Sequence, residues 1–261
     1  MTEKLVSIVM PTYCSGRFLP DSVESVLGQT WQRWELLIVD DCSPDDTFET
    51  AKALAARDGR IRLLRTPANS GPAAARNLAL ENAAGNYIAF LDSDDLWKPE
   101  KLQRQIAFME RTGAKFSCTA YDRISEDGER ILGRVTPFKK ADYNKVLYMA
   151  NPVGNSTAMF DRAALGEIRV PLIRKRNDFA LWLAILKKTD YAWGMGDCLA
   201  CYRVRENSVS SGKIDLLRYQ WELYRHVEGL NLFQVALAFG GLAYIKLFHP
   251  TWRTAPREET T

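Results

Sequence analysis

Four short apolar runs organise the first hundred residues, with helical patterns between them. The runs span residues 5–10, 36–39, 61–64 and 87–91. Apolar runs of this length are typical of strands that are buried on both faces, as in a parallel sheet. Helical patterns at 20–27, from 44 onward and at 73–84 separate the strands. The alternation predicts an α/β fold with a doubly wound, mostly parallel sheet and helices on both of its faces.

The carboxyl ends of three predicted strands carry residues that can bind a ligand. They are Pro11, Thr12 and Tyr13, then Asp40 and Asp41, then Asp92, Ser93, Asp94 and Asp95. Ligands of doubly wound sheets bind outside the carboxyl ends of the strands, so we expect the three groups to share one edge. An aromatic ring beside hydrogen-bonding carboxylates suits a nucleotide diphosphate. For Asp40, a cap of the next helix near Ser43 is the alternative.

The acidic turn at 92–95 places three carboxylates within four residues. Like charges at this spacing raise one another's pKa, so the turn requires a positive partner. A divalent cation is one such partner, because Mg²⁺ and Mn²⁺ prefer oxygen ligands and often bind substrate phosphates as well. A solvated acidic turn before the next helix is the alternative.

Composition and missing motifs argue against several other kinds of site. The net charge of +3, without a basic stripe, disfavours nucleic-acid binding, and neither G-x-G-x-x-G nor G-x-x-x-x-G-K-[ST] occurs near the strands. Both histidines, His226 and His249, lie far in sequence from every acidic cluster, which disfavours a Ser-His-Asp triad or a His-ligated metal. Proton transfer therefore falls to a carboxylate. Five scattered cysteines indicate reduced thiols and a cytosolic compartment, and no signal peptide is evident.

These motifs resemble those of the family 2 inverting glycosyltransferases, which have the GT-A fold. The resemblance is carried by Pro11-Thr12-Tyr13, Asp40-Asp41, Gly71-Pro72-Ala73-Ala74-Ala75-Arg76-Asn77 and Asp92-Ser93-Asp94-Asp95. It implies that Pro11, Tyr13 and Asp41 bind the nucleotide base and ribose, with Arg76 near the nucleotide. Thr12, Asp40 and Ser93 would complete the donor site. Asp92-Ser93-Asp94 would be the D-x-D motif, with Asp94 the main ligand of Mn²⁺ or Mg²⁺, Asp92 a second ligand, and Asp95 orienting the loop.

Asp178 is a second candidate functional residue, outside the three groups at the strand ends. It follows the basic run at 174–176 and Asn177, and it precedes an apolar helix at 179–186. A carboxylate in the first turn of a helix is stabilised as the anion by the helix dipole. From the residues alone, capping of the helix by Asn177 or Asp178 is the alternative. The resemblance implies that Asp178 is the general base, and this chain departs from the family at Asn177, where Glu is frequent.

Four further residues are expected to contact the diphosphate or the acceptor. By resemblance they are Asn155, Trp182, Arg203 and Arg205. For the two arginines, a solvated loop is the alternative. The basic run at 174–176 suggests an anionic acceptor such as a lipid diphosphate, although a solvated basic turn is the simpler interpretation.

The C-terminal part differs in composition from the rest. Residues 213–252 are expected to form an amphipathic helical extension that is too apolar for a free tail. Gln234, the Gly240-Gly241 pair and Lys246 disfavour a transmembrane span, so an interfacial membrane contact is the first interpretation. Packing on the protein's own core or on a homodimer partner is the alternative. Residues 253–261 are expected to form a flexible tail.

Residues and resemblance together predict a single GT-A domain at 1–212, with a nucleotide-binding half at 1–100 and an acceptor-binding half at 101–212. The expected reaction is metal-dependent, inverting transfer of a sugar from a nucleotide-sugar, expected to be UDP-linked. The expected acceptor is a hydroxyl of a growing lipid-linked bacterial polysaccharide such as O-antigen or capsule, at the cytoplasmic face of the inner membrane. The alternatives are a nucleotidyltransferase that makes a nucleotide-sugar and a non-catalytic subunit that binds one.

Overall fold

Strands and helices alternate through the first half of the chain, as the apolar runs predict. The computed structural model describes residues 4–149, 151, 153–205 and 213–248. The first half contains β1 (Val6–Thr12), α1 (Leu19–Leu27), β2 (Trp34–Asp40), α2 (Thr47–Ala55), β3 (Ile61–Arg65), α3 (Pro72–Asn82), β4 (Tyr87–Phe90) and β5 (Leu96–Trp97).

The second half adds shorter strands and the helices that complete the fold. Its elements up to the last strand are α4 (Lys101–Thr112), β6 (Phe116–Ile124), β7 (Ile131–Val135), β8 (Lys140–Ala141), α5 (Tyr143–Tyr148), a 3-10 turn (Asn155–Thr157), β9 (Met159–Asp161), α6 (Arg162–Leu165), α7 (Asn177–Leu186) and β10 (Ala192–Arg203). The C-terminal elements are α8 (Lys213–Glu222), a π-helical turn (Leu223–Val227) and α9 (Leu232–Phe248).

The strands form one mixed sheet. Its order is β3-β2-β1-β4-β9-β6-β10-β5, with β7 beside β6 and β8 beside β10. β1 pairs in parallel with β2 and β4, and β2 pairs in parallel with β3. β9 runs antiparallel between β4 and β6. The predicted α/β fold around a parallel group of strands is confirmed.

Helices cover both faces of this sheet. The buried residues of α1, α2 and α4 belong to one apolar cluster, and those of α3, α5, α7 and α9 belong to another. Successive residues of each central strand face opposite clusters: Val9 and Leu37 face one, and Ile8 and Leu36 face the other. Because side chains alternate along a strand, burial on both faces requires an unbroken apolar run.

The register of the central strands brings the predicted ligand-binding ends together. Thr12 pairs with Asp40 where β1 and β2 end, and the Asp41 backbone N–H donates to the Thr12 carbonyl at 2.9 Å. β4 pairs with the other side of β1 and ends at Phe90, two residues before Asp92. Residues from separate crossover units therefore meet at one edge of the sheet.

The C-terminal helix α9 packs against the domain along one face and leaves the other face open. At Gly241 a Cβ atom would lie 1.7 Å from the Tyr148 carbonyl oxygen, so α9 approaches α5 at backbone distance. The face that carries Val235, Ala238 and Ile245 is buried, and Phe233, Leu237 and Leu247 beyond its edges are exposed. The predicted packing on the protein's own core thus occurs on one side only. Trp252 and the predicted tail at 253–261 lie outside the described residues.

Lys101, the first residue of α4, is fully buried without a hydrogen-bonding partner. Its Nζ lies 3.7 Å from the centroid of the Trp97 ring, and no described residue accepts a hydrogen bond from it. Burial holds the pKa of Lys101 well below its ordinary value of 10.5. Because an unpaired buried amine is costly, this side chain destabilises the fold at neutral pH.

Lys101→Met is expected to raise the free energy of unfolding at pH 7 by about 1–3 kcal/mol, because an apolar side chain of similar volume replaces the amine. Since the pKa of Lys101 is lower in the folded than in the unfolded protein, the wild type gains stability as the pH rises from the folded pKa towards 10.5. The advantage of the variant should therefore shrink between pH 7 and pH 10. Thermal unfolding at several pH values measures both effects. Lys115→Met, at an exposed position, is the matched control, and a pH-independent advantage would contradict the argument.

Candidate active site

Asp92 lies at the centre of the sheet edge and is held by two segments. Its Oδ1 accepts hydrogen bonds from Arg76 Nη2 and from Asn155 Nδ2, both at 2.7 Å. Its backbone N–H donates to the Ser156 hydroxyl at 3.1 Å. The structure therefore brings Arg76, Asp92 and Asn155, three of the predicted site residues, into direct contact.

The charge environment of Asp92 extends to the start of α7. Burial raises the pKa of Asp92, the Arg76 guanidinium opposes this, and the negative charges of Asp94 and Asp178 raise the pKa further. Asp178 therefore adds to the negative charge around Asp92, although it is remote in sequence.

Asp94 forms an ion pair with an arginine side chain of the same chain. Its Oδ2 lies 3.0 Å from Arg205 Nη1, and both side chains keep about a quarter of their surface exposed, at 25 % and 27 %. The Asp94 carbonyl accepts a hydrogen bond from Arg203 Nε at 2.9 Å. Asp94 therefore faces solvent and is neutralised by an arginine that can leave without exposing a buried charge.

Asp95 and Arg203 are buried and bond to the protein itself. Asp95 accepts hydrogen bonds from the Arg203 backbone N–H at 2.9 Å and from the Ser156 hydroxyl at 2.5 Å. The Arg203 side chain donates to the Glu126 carbonyl at 2.7 Å and pairs with Asp21 at 3.3 Å. Burial raises the pKa of Asp95, and the charges of Asp94 and Asp92 add to the shift. Arg203 thus ties the end of β10 to the acidic turn, which leaves Arg205 as the arginine free to reach a diphosphate.

Asp41 organises the loop before α3. Its Oδ1 accepts hydrogen bonds from the Thr66 hydroxyl at 2.8 Å and the Ser70 N–H at 2.9 Å, and its Oδ2 accepts from the Gly71 N–H at 2.7 Å. Gly71 has φ 86°, a conformation that favours glycine. A carboxylate has about four acceptor positions, so one position on Asp41 remains for a ligand N–H.

The other donor-side residues differ in how accessible they are. Asp40 is fully buried, pairs with Arg65 at 3.1 Å and accepts from the Ser43 N–H. It caps a turn and not α2, whose N-cap is Asp46. Pro11, Thr12 and Ser93 are buried, whereas Tyr13 is 46 % exposed at the end of β1. Tyr13 is therefore an aromatic ring that a ligand at this edge can reach.

Asp178 is the second residue of α7 and is partly buried. Among the described residues, no side chain or backbone group bonds to its carboxylate. The helix N-cap is Arg176, in a left-handed conformation with φ 64°, and no side chain caps the helix. The capping alternative therefore fails for Asp178, which is an unpaired carboxylate in the first turn of a helix.

Trp182 lies in the core and not at the substrate surface. It has no exposed area, stacks on Phe116 with ring centroids 5.4 Å apart, and meets the edge of Phe90 at the same distance. The expectation that Trp182 contacts diphosphate or acceptor does not agree with this position. An apolar helix shows in the sequence, but the sequence does not show that the helix is buried on all sides.

The residues at this edge fit a divalent cation that is shared with a substrate. Asp92 and Asp94 provide hard oxygen ligands. The negative charge of Asp94 raises the pKa of Asp92, an effect that a nearby cation would offset. In the part of the chain that the structure describes, no group of three or more His, Cys, Asp or Glu side chains could hold a metal by itself. Mg²⁺ and Mn²⁺ commonly use one or two carboxylates and take the remaining ligands from phosphates and water.

Two polar residues of the site were not predicted. Ser156 bonds to both Asp92 and Asp95, and Thr66 bonds to Asp41. Neither belongs to a recognisable motif. Their hydrogen-bond partners lie in distant parts of the chain, and a local sequence pattern does not show such contacts. For Ser156, the only sequence signal was its position in a loop before an apolar pair; for Thr66 there was none.

Comparisons with known proteins give consistent results. The model of the family described as glycosyl transferase family 2 matches residues 7–169. A Bacillus subtilis (strain 168) protein named as a candidate glycosyltransferase of teichuronic acid biosynthesis, TuaG, is 41 % identical over 237 residues, covering 91 % of this chain and 94 % of the relative. The Escherichia coli UDP-Glc:alpha-D-GlcNAc-diphosphoundecaprenol beta-1,3-glucosyltransferase WfgD is 39 % identical over 224 residues, covering 85 % of this chain and 86 % of WfgD.

Solved structures share the fold at low sequence identity. The crystal structure of S. aureus TarS 1–349 in complex with UDP-GlcNAc has a TM-score of 0.70 at 19 % identity, covering 93 % of this chain and 73 % of that chain. The mannosyltransferase PcManGT from Pyrobaculum calidifontis, in complex with GDP-Man and Mn²⁺, has a TM-score of 0.61 at 17 % identity, covering 95 % of this chain and 76 % of that chain. With the family model matching more than half of its length, the chain belongs to glycosyl transferase family 2 and is a glycosyltransferase with the GT-A fold.

Proposed function

We propose that this glycosyltransferase moves a sugar from a UDP-sugar to a hydroxyl of a growing, lipid-linked bacterial surface polysaccharide, with inversion at the anomeric carbon. The observation that carries the proposal is the arrangement of carboxylates at the carboxyl ends of β1, β2 and β4, where Asp41 lies beside Thr12 and Asp92 is held by Arg76 and Asn155. UDP and UDP-GlcNAc in TarS complexes, and a UDP-glucose donor in the name of WfgD, support the choice of donor.

The donor would bind across the ends of β1, β2 and β4. Tyr13 would stack against the base, and the remaining acceptor position of Asp41 would receive the base N–H. Arg205 would exchange Asp94 for the diphosphate, with which a guanidinium forms strong charge-assisted hydrogen bonds. Arg76 would stay with Asp92 and oppose the rise in the pKa of that carboxyl that burial causes.

Asp94 and Asp92 would hold Mn²⁺ or Mg²⁺. When bound, the cation neutralises the charge that develops on the leaving diphosphate, so no protein acid needs to protonate it. The Mn²⁺ complex of PcManGT supports this choice of cofactor.

Asp178 would act as the general base. It accepts the proton of the acceptor hydroxyl while the hydroxyl attacks the anomeric carbon from the side opposite the diphosphate. Among the described residues no group bonds to the Asp178 carboxylate, which leaves its oxygens available for this proton. A single displacement of this kind converts an α-linked donor into a β-linked product.

A nucleoside-diphosphate release assay tests the reaction. Purified protein, Mn²⁺ and a panel of nucleotide-sugars, ranked first by the thermal stabilisation that ligands produce, should release UDP in the presence of a lipid-diphosphate glycan. In a parallel assay with a nucleoside triphosphate and a sugar 1-phosphate, pyrophosphate release would indicate the nucleotidyltransferase alternative. Donor binding without any transfer would indicate the non-catalytic alternative.

The acceptor proposal rests on the basic run before α7 and on the relatives. The run at 174–176 directly precedes the helix that carries Asp178. It also lies near α8, because Lys175 Nζ is 6.0 Å from the centroid of the Tyr219 ring. The name of WfgD specifies a diphosphoundecaprenol-linked acceptor. A lipid diphosphate at this run would bring its glycan towards Asp178, with the protein at the cytoplasmic face of the inner membrane.

The open face of α9 would contact that membrane. Its exposed apolar residues are Leu232, Phe233, Leu237, Tyr244, Leu247 and Phe248. No helix among the described residues is long and apolar enough to span a bilayer. A helix with one packed face and one exposed apolar face suits the interfacial region of a membrane.

Replacing Phe233 and Leu237 together by serine is expected to lower binding to anionic phospholipid vesicles by at least about 10-fold, because each large apolar side chain contributes about 1.5–3 kcal/mol when fully buried. Co-sedimentation with vesicles measures the effect. Ile131→Ser with Leu132→Ser, on an exposed hairpin strand, is the matched control. Absence of vesicle binding by the wild type, with a dimer that the Phe233 and Leu237 changes dissociate, would assign the face to a second copy and contradict the membrane proposal.

A further inference from the structure

Arg76 joins two segments that are far apart in the chain. Its Nη2 donates to Asp92 Oδ1 at 2.7 Å, and its Nη1 donates to Asn177 Oδ1 at 2.6 Å. Arg76 and Asn177 are both buried. Hydrogen bonds that involve a charged group are stronger than neutral ones, and buried ones are shielded from competing water. The Arg76 fork therefore fixes the separation between Asp92 and the start of α7.

Asn177 is constrained from both sides. Besides accepting from Arg76, its side-chain amide donates to the Arg174 carbonyl at 3.3 Å. The preceding residue, Arg176, has φ 64°, a left-handed conformation that is unfavourable for a residue other than glycine. Such a conformation persists only where the surroundings determine it. Since Asp178 follows directly, its position depends on this turn and on the bond from Asn177 to Arg76.

Asn177 holds Arg76 through an acceptor oxygen and not through charge. The Arg76 cation is balanced by Asp92. A carboxylate oxygen at position 177 could therefore fill the same positioning role, provided that it accepts the bond from Arg76.

We propose that Asn177 is a positioning residue, whose bond to Arg76 sets the place of Asp178 relative to the donor-side carboxylate Asp92. This inference rests on the proposed function, because sugar transfer is what gives that separation a catalytic meaning. The residue itself touches neither donor nor acceptor in this arrangement; it acts through Arg76 and through the turn into α7.

Asn177→Ala removes the acceptor for Arg76 and keeps both Arg76 and Asp178. The expected result is a fall in kcat of about 10–100-fold, because a displacement of about 1 Å between reacting groups has an effect of this size. The Kd for UDP in the presence of Mn²⁺, measured by calorimetry, should stay within about 3-fold of the wild-type value. Asn177→Asp restores an acceptor for Arg76 and should recover kcat to within about 5-fold of wild type.

Two results would overturn the inference. One is a wild-type kcat for Asn177→Ala together with a lower melting temperature, which would make the bond merely structural. The other is a failure of Asn177→Asp to recover activity although it folds. If Asn177→Ala does not fold, Asn177→Ser, which is too short to reach Arg76, replaces it with the same expected loss. A wild-type protein without transferase activity would overturn the proposed function instead, so the two failures are distinguishable.

Discussion

Asp178→Asn is expected to lower kcat by about 10²–10⁴-fold, the usual contribution of a general base, while UDP binding stays within about 3-fold of wild type. The amide has nearly the same size as the carboxylate, so α7 and its buried face are not disturbed. What is lost is the proton acceptor. Separate measurement of sugar transfer and of UDP affinity by calorimetry tests the two halves of this expectation.

Asp190→Asn is the matched control, because Asp190 is exposed just beyond the other end of α7 and makes no bond among the described residues. It should retain wild-type kcat. Sugar transfer by Asp178→Asn at more than a tenth of the wild-type rate would show that another group accepts the proton. A loss of UDP binding equal to the loss of activity would show that Asp178 serves the donor and not the acceptor.

Asp94→Asn is expected to remove the effect of Mn²⁺ on UDP binding and to lower kcat by about 10²–10³-fold, equivalent to roughly 3–4 kcal/mol of transition-state stabilisation. The Asn oxygen is a weaker ligand and brings no negative charge for the cation. In wild type, UDP should bind more tightly with Mn²⁺ than with chelator. In the variant the two affinities should be equal.

The comparison with chelator separates a metal ligand from a residue that only shapes the loop. A loop defect would weaken UDP binding with and without Mn²⁺ alike, and that outcome would contradict the assignment of Asp94. The Asp190→Asn variant again serves as the control, with an undiminished response to Mn²⁺.

The sheet was predictable because its central strands are buried on both faces and so read as unbroken apolar runs. The same reasoning placed Asp41, Asp92 and Asp94 at one edge, since the carboxyl ends of parallel strands meet there. For Asp178 the residues alone left helix capping open, and the resemblance to a family suggested the base. The structure removes the capping alternative, and the role of Asp178 as the base stays a prediction.

What the sequence could not supply is which side chains are already bonded to the protein itself. Arg203 and Arg205 look alike in sequence, yet Arg203 is buried against Asp21 and the Glu126 carbonyl, and Arg205 is partly exposed beside Asp94. Trp182 was expected at the substrate by resemblance to the family, but its ring is buried in the core. These distinctions depend on long-range packing, which no local pattern encodes.

The contact between Phe90 and Trp182 has a consequence for how this site tolerates change. Phe90 stands two residues before Asp92, Trp182 stands four residues after Asp178, and their rings meet edge to face at 5.4 Å. The buried contact between these two rings therefore helps to set the distance between Asp92 and Asp178. Replacing either ring by a smaller side chain should slow turnover, although neither ring contacts the sugar. Changes in acceptor preference should therefore arise in the surrounding loops, with Phe90 and Trp182 retained.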